Sequence, residues 1–383
     1  MKESVRRVLG KALNKPKRDT IINTPFARFI LIGLILAITS CGSAPEPVTE
    51  TPVDPAVVDE TVIEAEAEAE AEEEPEVLFE YPLDYDTLSE SAFGEIWGYL
   101  IAGREGDLRA SMPLSDVGYF GAEIDSYGKL TDVPNVRKIA YFTGRKHLVV
   151  ACNSRSLAHF ALEPGSQTRR QLIADLLEAA RPYDGLQIDF ELIPARDGDN
   201  FLSFLRELRE GTRGKRFTIA LPARLRTLSN DVFDYKKILP LVDRILVMAY
   251  DEHWSTSAPG PIASMDWCRR VAAYALETIG PEKLIMGIPF YGRTWGNISP
   301  NRAYFHSGIQ RIRRENNVAD IRRENGIPTF TYQVPLTITV YYEDDYSLSA
   351  RFELYRRMGV ASIGFWCLGQ ESATIWDILR LSK

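Results

Sequence analysis

Cysteine and histidine are scarce in this chain, four of each among 383 residues. Neither type falls at a ligand spacing, so no metal signature is present and no cofactor is expected. With Cys41 set aside, Cys152, Cys268 and Cys367 remain, an odd set that implies no disulfide framework. Cys152 follows the apolar residues Leu148, Val149, Val150 and Ala151, and Cys367 follows Trp366, so both read as small buried side chains. A nucleophilic Cys367 is disfavoured because no histidine flanks it. Surplus positive charge is missing as well. Residues 81–383 carry 37 Lys and Arg against 37 Asp and Glu, which gives no electrostatic reason to expect nucleic acid as a partner. The apolar run at residues 29–38 (FILIGLILAI) is about half the roughly 20 residues a membrane-spanning helix needs.

What is present at the N-terminus is a targeting pattern. Arg6, Arg7, Lys11, Lys15, Lys17, Arg18 and Arg28 precede that short apolar run, and small residues lead into Cys41. The segment around Cys41 resembles the bacterial lipoprotein box, which implies a signal peptide over residues 1–40 and lipidation at Cys41. A plain secretory signal cut among the small residues near Ser40 is the alternative. Residues 41–80 follow with acids and no Lys or Arg, including an alternating Glu-Ala run at residues 64–71. Like charges at i,i+4 oppose helix there, so an extended acidic tether is expected. The folded part is then residues 81–383, at the extracytoplasmic side of the cell envelope and held to a bacterial membrane through the lipid.

The most informative stretch is residues 184–191 (DGLQIDFE). Strand side chains alternate between faces, so Gln187, Asp189 and Glu191 share one side while Leu186, Ile188 and Phe190 share the other. Carboxylates without partners resist burial, so the polar side has to open into a cleft or a hydrogen-bonded site. A solvated sandwich strand would have little use for this spacing beside a continuous apolar face.

These residues resemble the D-G-x-D-x-D-x-E signature of the family 18 glycoside hydrolases, the chitinase group. Asp184, Asp189 and Glu191 match, and Gln187 departs. An amide at that place is similar to the peptidoglycan-acting, spore-cortex-lytic branch. Residues 244–251 (RILVMAYD) resemble the sixth-strand motif, residues 283–293 (KLIMGIPFYGR) the seventh strand, and residues 361–366 (ASIGFW) the eighth.

The resemblance implies a (β/α)8 TIM barrel and a glycosidase acting on N-acetylglucosamine-containing polysaccharide, chitin or peptidoglycan. It implies Glu191 as acid and base, Asp189 as stabiliser of the substrate's acetamido group, and Tyr250 as its orienter. Asp184, Gln187, Met248, Asp251, Tyr291 and Trp366 are implied in substrate binding. A non-hydrolytic glycan-binding lectin of the same fold and a structural envelope lipoprotein compete with this assignment. Gln187 cannot ionise, so Asp189 is expected to ionise more readily than beside a second acid, with Gln187 holding it by a hydrogen bond.

Strands are expected at residues 95–102, 116–121, 147–152 and 217–221, besides the four motif strands. Helical spacing marks residues 168–180 and 201–208, and alternation of helix with apolar strand predicts a parallel barrel. Between strands seven and eight, residues 294–349 hold two β-rich runs around Pro335, which predicts a small α+β insertion. Arg311, Arg313, Arg314, Arg322 and Arg323 lie there and read as solvated charges in preference to a glycan contact. The protein is expected to be a monomer.

Overall fold

The computed structural model describes residues 83–296, 302–333 and 337–382. The expected signal peptide, the lipidation expected at Cys41 and the expected acidic tether fall outside the described residues. No described helix is long and apolar enough to cross a membrane.

Eight parallel strands form the core: β1 (Glu95–Ile101), β2 (Asp116–Ile124), β3 (Arg145–Cys152), β4 (Gly185–Phe190), β5 (Arg216–Pro222), β6 (Arg244–Met248), β7 (Leu284–Pro289) and β8 (Ser362–Trp366). Each pairs with its sequence neighbours, and β8 pairs with β1, which closes the sheet into a cylinder. Their sequences are near-continuous apolar runs because helices cover the outside and side chains fill the inside.

The register fixes which residues face inward. Tyr99 pairs with Gly118, Phe120 with Val149, Val149 with Gln187, and Gln187 with Thr218, so these positions share the interior face. Gly118 is needed there, since a Cβ on it would stand 2.9 Å from the Tyr99 ring. At the N-terminal end of the cylinder the Glu95 carboxylate accepts hydrogen bonds from Arg145 at 3.3 Å, Arg216 at 2.7 Å and Arg244 at 3.0 Å, and from the Trp97 indole at 3.1 Å. That cluster ties β1 to β3, β5 and β6.

Helices run outside between the strands. Helix α1 (Arg155–Leu162) is capped by Ser154 and α2 (Gln167–Ala179) by Ser166, each hydroxyl accepting from a backbone N–H in the first turn. Helix α3 (Gly198–Gly211) buries Phe201, Phe204, Leu205 and Leu208. Phe190 stacks on Phe201 and Phe204 with ring centroids 6.4 and 5.8 Å apart, so the apolar face of β4 is held from outside. Helix α4 (Met265–Ile279) starts at a Ser264 cap.

The expected seventh strand over 283–293 is divided. β7 ends at Pro289, and Gly292–Gly296 begins a separate sheet. The Phe290 N–H donates to the Trp366 carbonyl at 2.8 Å, while Gly292 packs so close to Tyr342 that a Cβ would meet it at 2.4 Å. The insertion between β7 and β8 is thus a five-stranded antiparallel sheet with helix α5 (His306–Glu315) on it. Its own small core is Ile309, Phe330, Val340 and Tyr342. Helix α6 (Asp345–Met358), opened by an Asp344/Ser347 capping box and closed by Gly359 at φ 86°, returns the chain to β8. Among the insertion's arginines, Arg311 pairs with Glu315 at 3.9 Å, Arg313 donates to the Val318 carbonyl at 3.0 Å, and Arg323 pairs with Asp344 at 2.9 Å.

Candidate active site

The acidic stretch lies at the C-terminal end of β4, where the barrel opens. The ladder runs one step past the strand, since the Glu191 N–H donates to the Cys152 carbonyl at 3.2 Å. Asp189 is 5% exposed, and its Oδ1 is buried without a hydrogen-bond partner. Burial, and then the charge of Glu191, hold the Asp189 carboxyl well above the usual carboxylate range. Glu191 stands higher, at the rim and partly exposed. Burial, and then the charge of Asp251, raise its pKa from 4.5 to about 7. An acid in that range holds a proton for a large share of the time at neutral pH and can both give and take one.

Gln187 is fully buried below this pair. Its amide accepts a short hydrogen bond from the Tyr99 hydroxyl and donates to the Thr218 hydroxyl at 3.0 Å. The hydrogen bond expected from Gln187 to Asp189 is replaced by these contacts to Tyr99 and Thr218. Gln187 puts no charge beneath Asp189; burial, and then Glu191, are what push the Asp189 carboxyl upward.

β6 supplies the facing side. Leu246 is on the inner face, since a Cβ built on Gly364 would stand 2.9 Å from its Cδ1, and Met248 and Tyr250 follow on the same parity. Met248 pairs with Pro222 at the strand end and is partly exposed. The Tyr250 hydroxyl is raised by burial, and then by Asp189, which places its ring in the same electrostatic neighbourhood as the acids. Asp251 takes the left-handed backbone region at φ 60°, tolerated by Asp but uncommon for a non-glycine residue. Its Oδ1 accepts from the Tyr291 hydroxyl at 2.6 Å and from Arg293 at 3.0 Å. The break after β7 thus carries Tyr291 and Arg293 onto Asp251. Tyr250 meets the Tyr291 ring edge-on at 6.4 Å.

Trp366 ends β8, 9% exposed, with ring contacts to Tyr99 at 5.7 Å and Phe120 at 5.0 Å. Its peptide bond to Cys367 is cis.

Asp184 does not join the site. It is exposed at the opposite, N-terminal end of β4, where its carboxylate accepts from the Lys146 N–H at 2.8 Å. Seven residues of extended chain, about 23 Å, separate it from Glu191. It anchors the start of β4 against β3. Cys152, Cys268 and Cys367 are free and buried. Among the described residues no group of three or more His, Cys, Asp and Glu is placed to hold a metal ion. Tyr99, Thr218 and Arg293 were not singled out in the sequence. Their signals are the inward parity of β1 and β5 and the position of Arg293 two residues beyond Tyr291.

A closed parallel barrel with a protonatable acid pair at its C-terminal rim, flanked by tyrosines and a tryptophan, defines a glycosyl hydrolase of the (β/α)8 class. The chain belongs to the glycosyl hydrolases family 18, matched over residues 131–371. It is 32% identical over 207 residues to the sporulation-specific glycosylase named YdhD of Bacillus subtilis, covering 50% of this chain and 48% of that protein. The chain thus spans about half the length of that relative. The cortical fragment-lytic enzyme of Bacillus anthracis is 25% identical over 297 residues, covering 70% of this chain and 67% of that one. Among solved structures, the spore cortex-lytic enzyme SleL of Bacillus cereus superposes with a TM-score of 0.69 at 21% identity, covering 77% and 76% of the two chains.

Proposed function

We propose that this enzyme cleaves the β-1,4 bond after an N-acetylglucosamine unit of peptidoglycan, with the substrate's own acetamido group as nucleophile. Glu191 donates its proton to the glycosidic oxygen as the bond to the anomeric carbon breaks. The acetamido carbonyl oxygen attacks that carbon from the other face and an oxazolinium ion forms. Asp189 accepts a hydrogen bond from the acetamido N–H, Tyr250 orients the carbonyl, and Trp366 lies under the ring. Water then adds to the anomeric carbon, Glu191 takes its proton, and the acetamido group is restored with retained configuration. Such substrate assistance is an exception to the two-carboxylate scheme.

The observation that carries this reading is Asp189 Oδ1, an inward-facing buried acceptor without a donor, beside an acid whose pKa is about 7. An N–H supplied by substrate completes it. The cortical fragment-lytic relative supports peptidoglycan over chitin as the polymer. The basic leader and the segment at Cys41 support a lipid-anchored protein at the outer side of a bacterial membrane. Reducing-end release is measured from peptidoglycan and from N-acetylglucosamine oligomers, for the wild type and Glu191→Gln. The variant is expected to lose about 10²–10⁴-fold of the activity. Binding without release by the wild type would mark a lectin instead, and faster release from the oligomers would mark a chitinase.

A further inference from the structure

Buried side-chain acceptors without a donor are few among the described residues, and three of them stand in one place. They are Glu123 Oε1, Asn153 Oδ1 and Asp189 Oδ1. They come from neighbouring strands, near the C-terminal end of β2, directly after β3, and near the end of β4. The register aligns Glu123 with Ala151 and Ala151 with Asp189, so Glu123 and Asp189 share the interior face two strands apart. That separation is about 9.6 Å between backbones. A shift in the ladder between Phe120 and Ala122, at Gly121, brings Glu123 onto this face. Asn153 is two residues beyond Ala151, on the same parity, and it neighbours Glu191 across the β3–β4 ladder.

A buried acceptor left unpaired is costly, so three together mark a surface completed by a ligand rich in donors. Asp189 already has its partner in the proposed reaction, the acetamido N–H. Glu123 and Asn153 are not used there. Burial, and then Asp132, raise the Glu123 carboxyl, so this side chain has found no stabilising cation within the protein. An adjoining sugar presents hydroxyl and amide N–H donors at the spacing of successive units along a glycan. We infer that Glu123 and Asn153 form a sugar-binding ledge beside the acid pair, accepting hydrogen bonds from the unit next to the one being cleaved. This rests on the glycosidase reading above and adds to it the residues that select for a polymer over a single sugar.

Kinetics with N-acetylglucosamine tetramer and with an aryl β-N-acetylglucosaminide, which has only one sugar, separate the two claims. Glu123→Ala and Asn153→Ala are each expected to lower kcat/KM for the tetramer about tenfold, through KM, the equivalent of about 1.4 kcal/mol. The aryl glycoside should be unaffected, and Glu123→Gln, which keeps an acceptor, should recover much of the loss. An equal fall on both substrates, or none on either, overturns the ledge. If the wild type cleaves neither compound, release from peptidoglycan decides the hydrolase reading, and the ledge is decided by calorimetric titration with the tetramer. About tenfold weaker binding in the alanine variants upholds it, and unchanged binding refutes it.

Discussion

Asp251→Asn takes one negative charge from beside Glu191 while keeping the shape that Tyr291 and Arg293 grip. In the proposed mechanism the acid form of Glu191 cleaves the bond, so activity is expected to fall as pH rises through its pKa of about 7. Burial is the first cause of that raised value and Asp251 the second. Without Asp251, ionised Glu191 is no longer repelled, and the positive charge of Arg293 loses its partner. Both changes favour ionisation, so the alkaline limb must move to lower pH. Asp251 is 38% exposed at its side chain, so solvent screens part of the interaction. A shift of about 0.5–1 pH unit is the reasonable scale. For a shift of about 0.7, the protonated fraction at pH 8 drops from about 9% to about 2%, nearly fivefold, while pH 5 is hardly touched. Initial rates on N-acetylglucosamine oligomers from pH 4 to 9 provide the test. An unmoved alkaline limb, or one moved upward, would refute the assignment of Glu191 as the acid perturbed by Asp251.

Glu191→Gln should stabilise the fold above neutral pH. The native carboxyl holds its proton to about pH 7 and the unfolded one releases it near 4.5, so native stability is lost as pH rises through that window. Chemical denaturation should find the variant about 1–3 kcal/mol more stable at pH 8 and no different at pH 4. A gain at pH 4 as large as at pH 8 contradicts this sign. Tyr99→Phe removes the donor to the buried Gln187 carbonyl and should cost about 1–3 kcal/mol in urea unfolding. Gln187→Asp shortens the side chain and puts a second acid under Asp189, so the acid limb of the rate profile should shift upward; an unchanged limb counts against electrostatic contact between the two positions. Gly287→Ala places a Cβ 2.7 Å from the Val247 carbonyl and 3.0 Å from the Tyr250 ring, and should depress kcat at least tenfold by displacing that ring, read against an unchanged far-ultraviolet circular dichroism spectrum.

The barrel was legible because its determinants are local. β4 declares itself by alternating Gln187, Asp189 and Glu191 with Leu186, Ile188 and Phe190, and the strands around it are apolar runs between helical repeats. The division of the seventh strand was not legible. It depends on Gly292 meeting Tyr342, a contact 50 positions away along the chain, and on the Phe290 N–H turning to Trp366. Asp184 misled for a similar reason. Its place in the motif is beside the acids in sequence, yet a strand has two ends, and only Glu191 reaches the open one. Gln187 was correctly placed on the inner face, but its partners were set by Tyr99 and Thr218, residues that only the closure of the sheet brings within reach. Parity tells which way a side chain points and says nothing of who is waiting there.

Glu95 and its three arginines have a consequence for traffic. That charged cluster and the Trp97 indole gather at the N-terminal end of the cylinder, opposite the acid pair. On the proposed reading, a long polymer is cut while draped over the mouth that carries Asp189 and Glu191. The fragment on the far side of the cut would then leave across that same mouth, in competition with the next arrival.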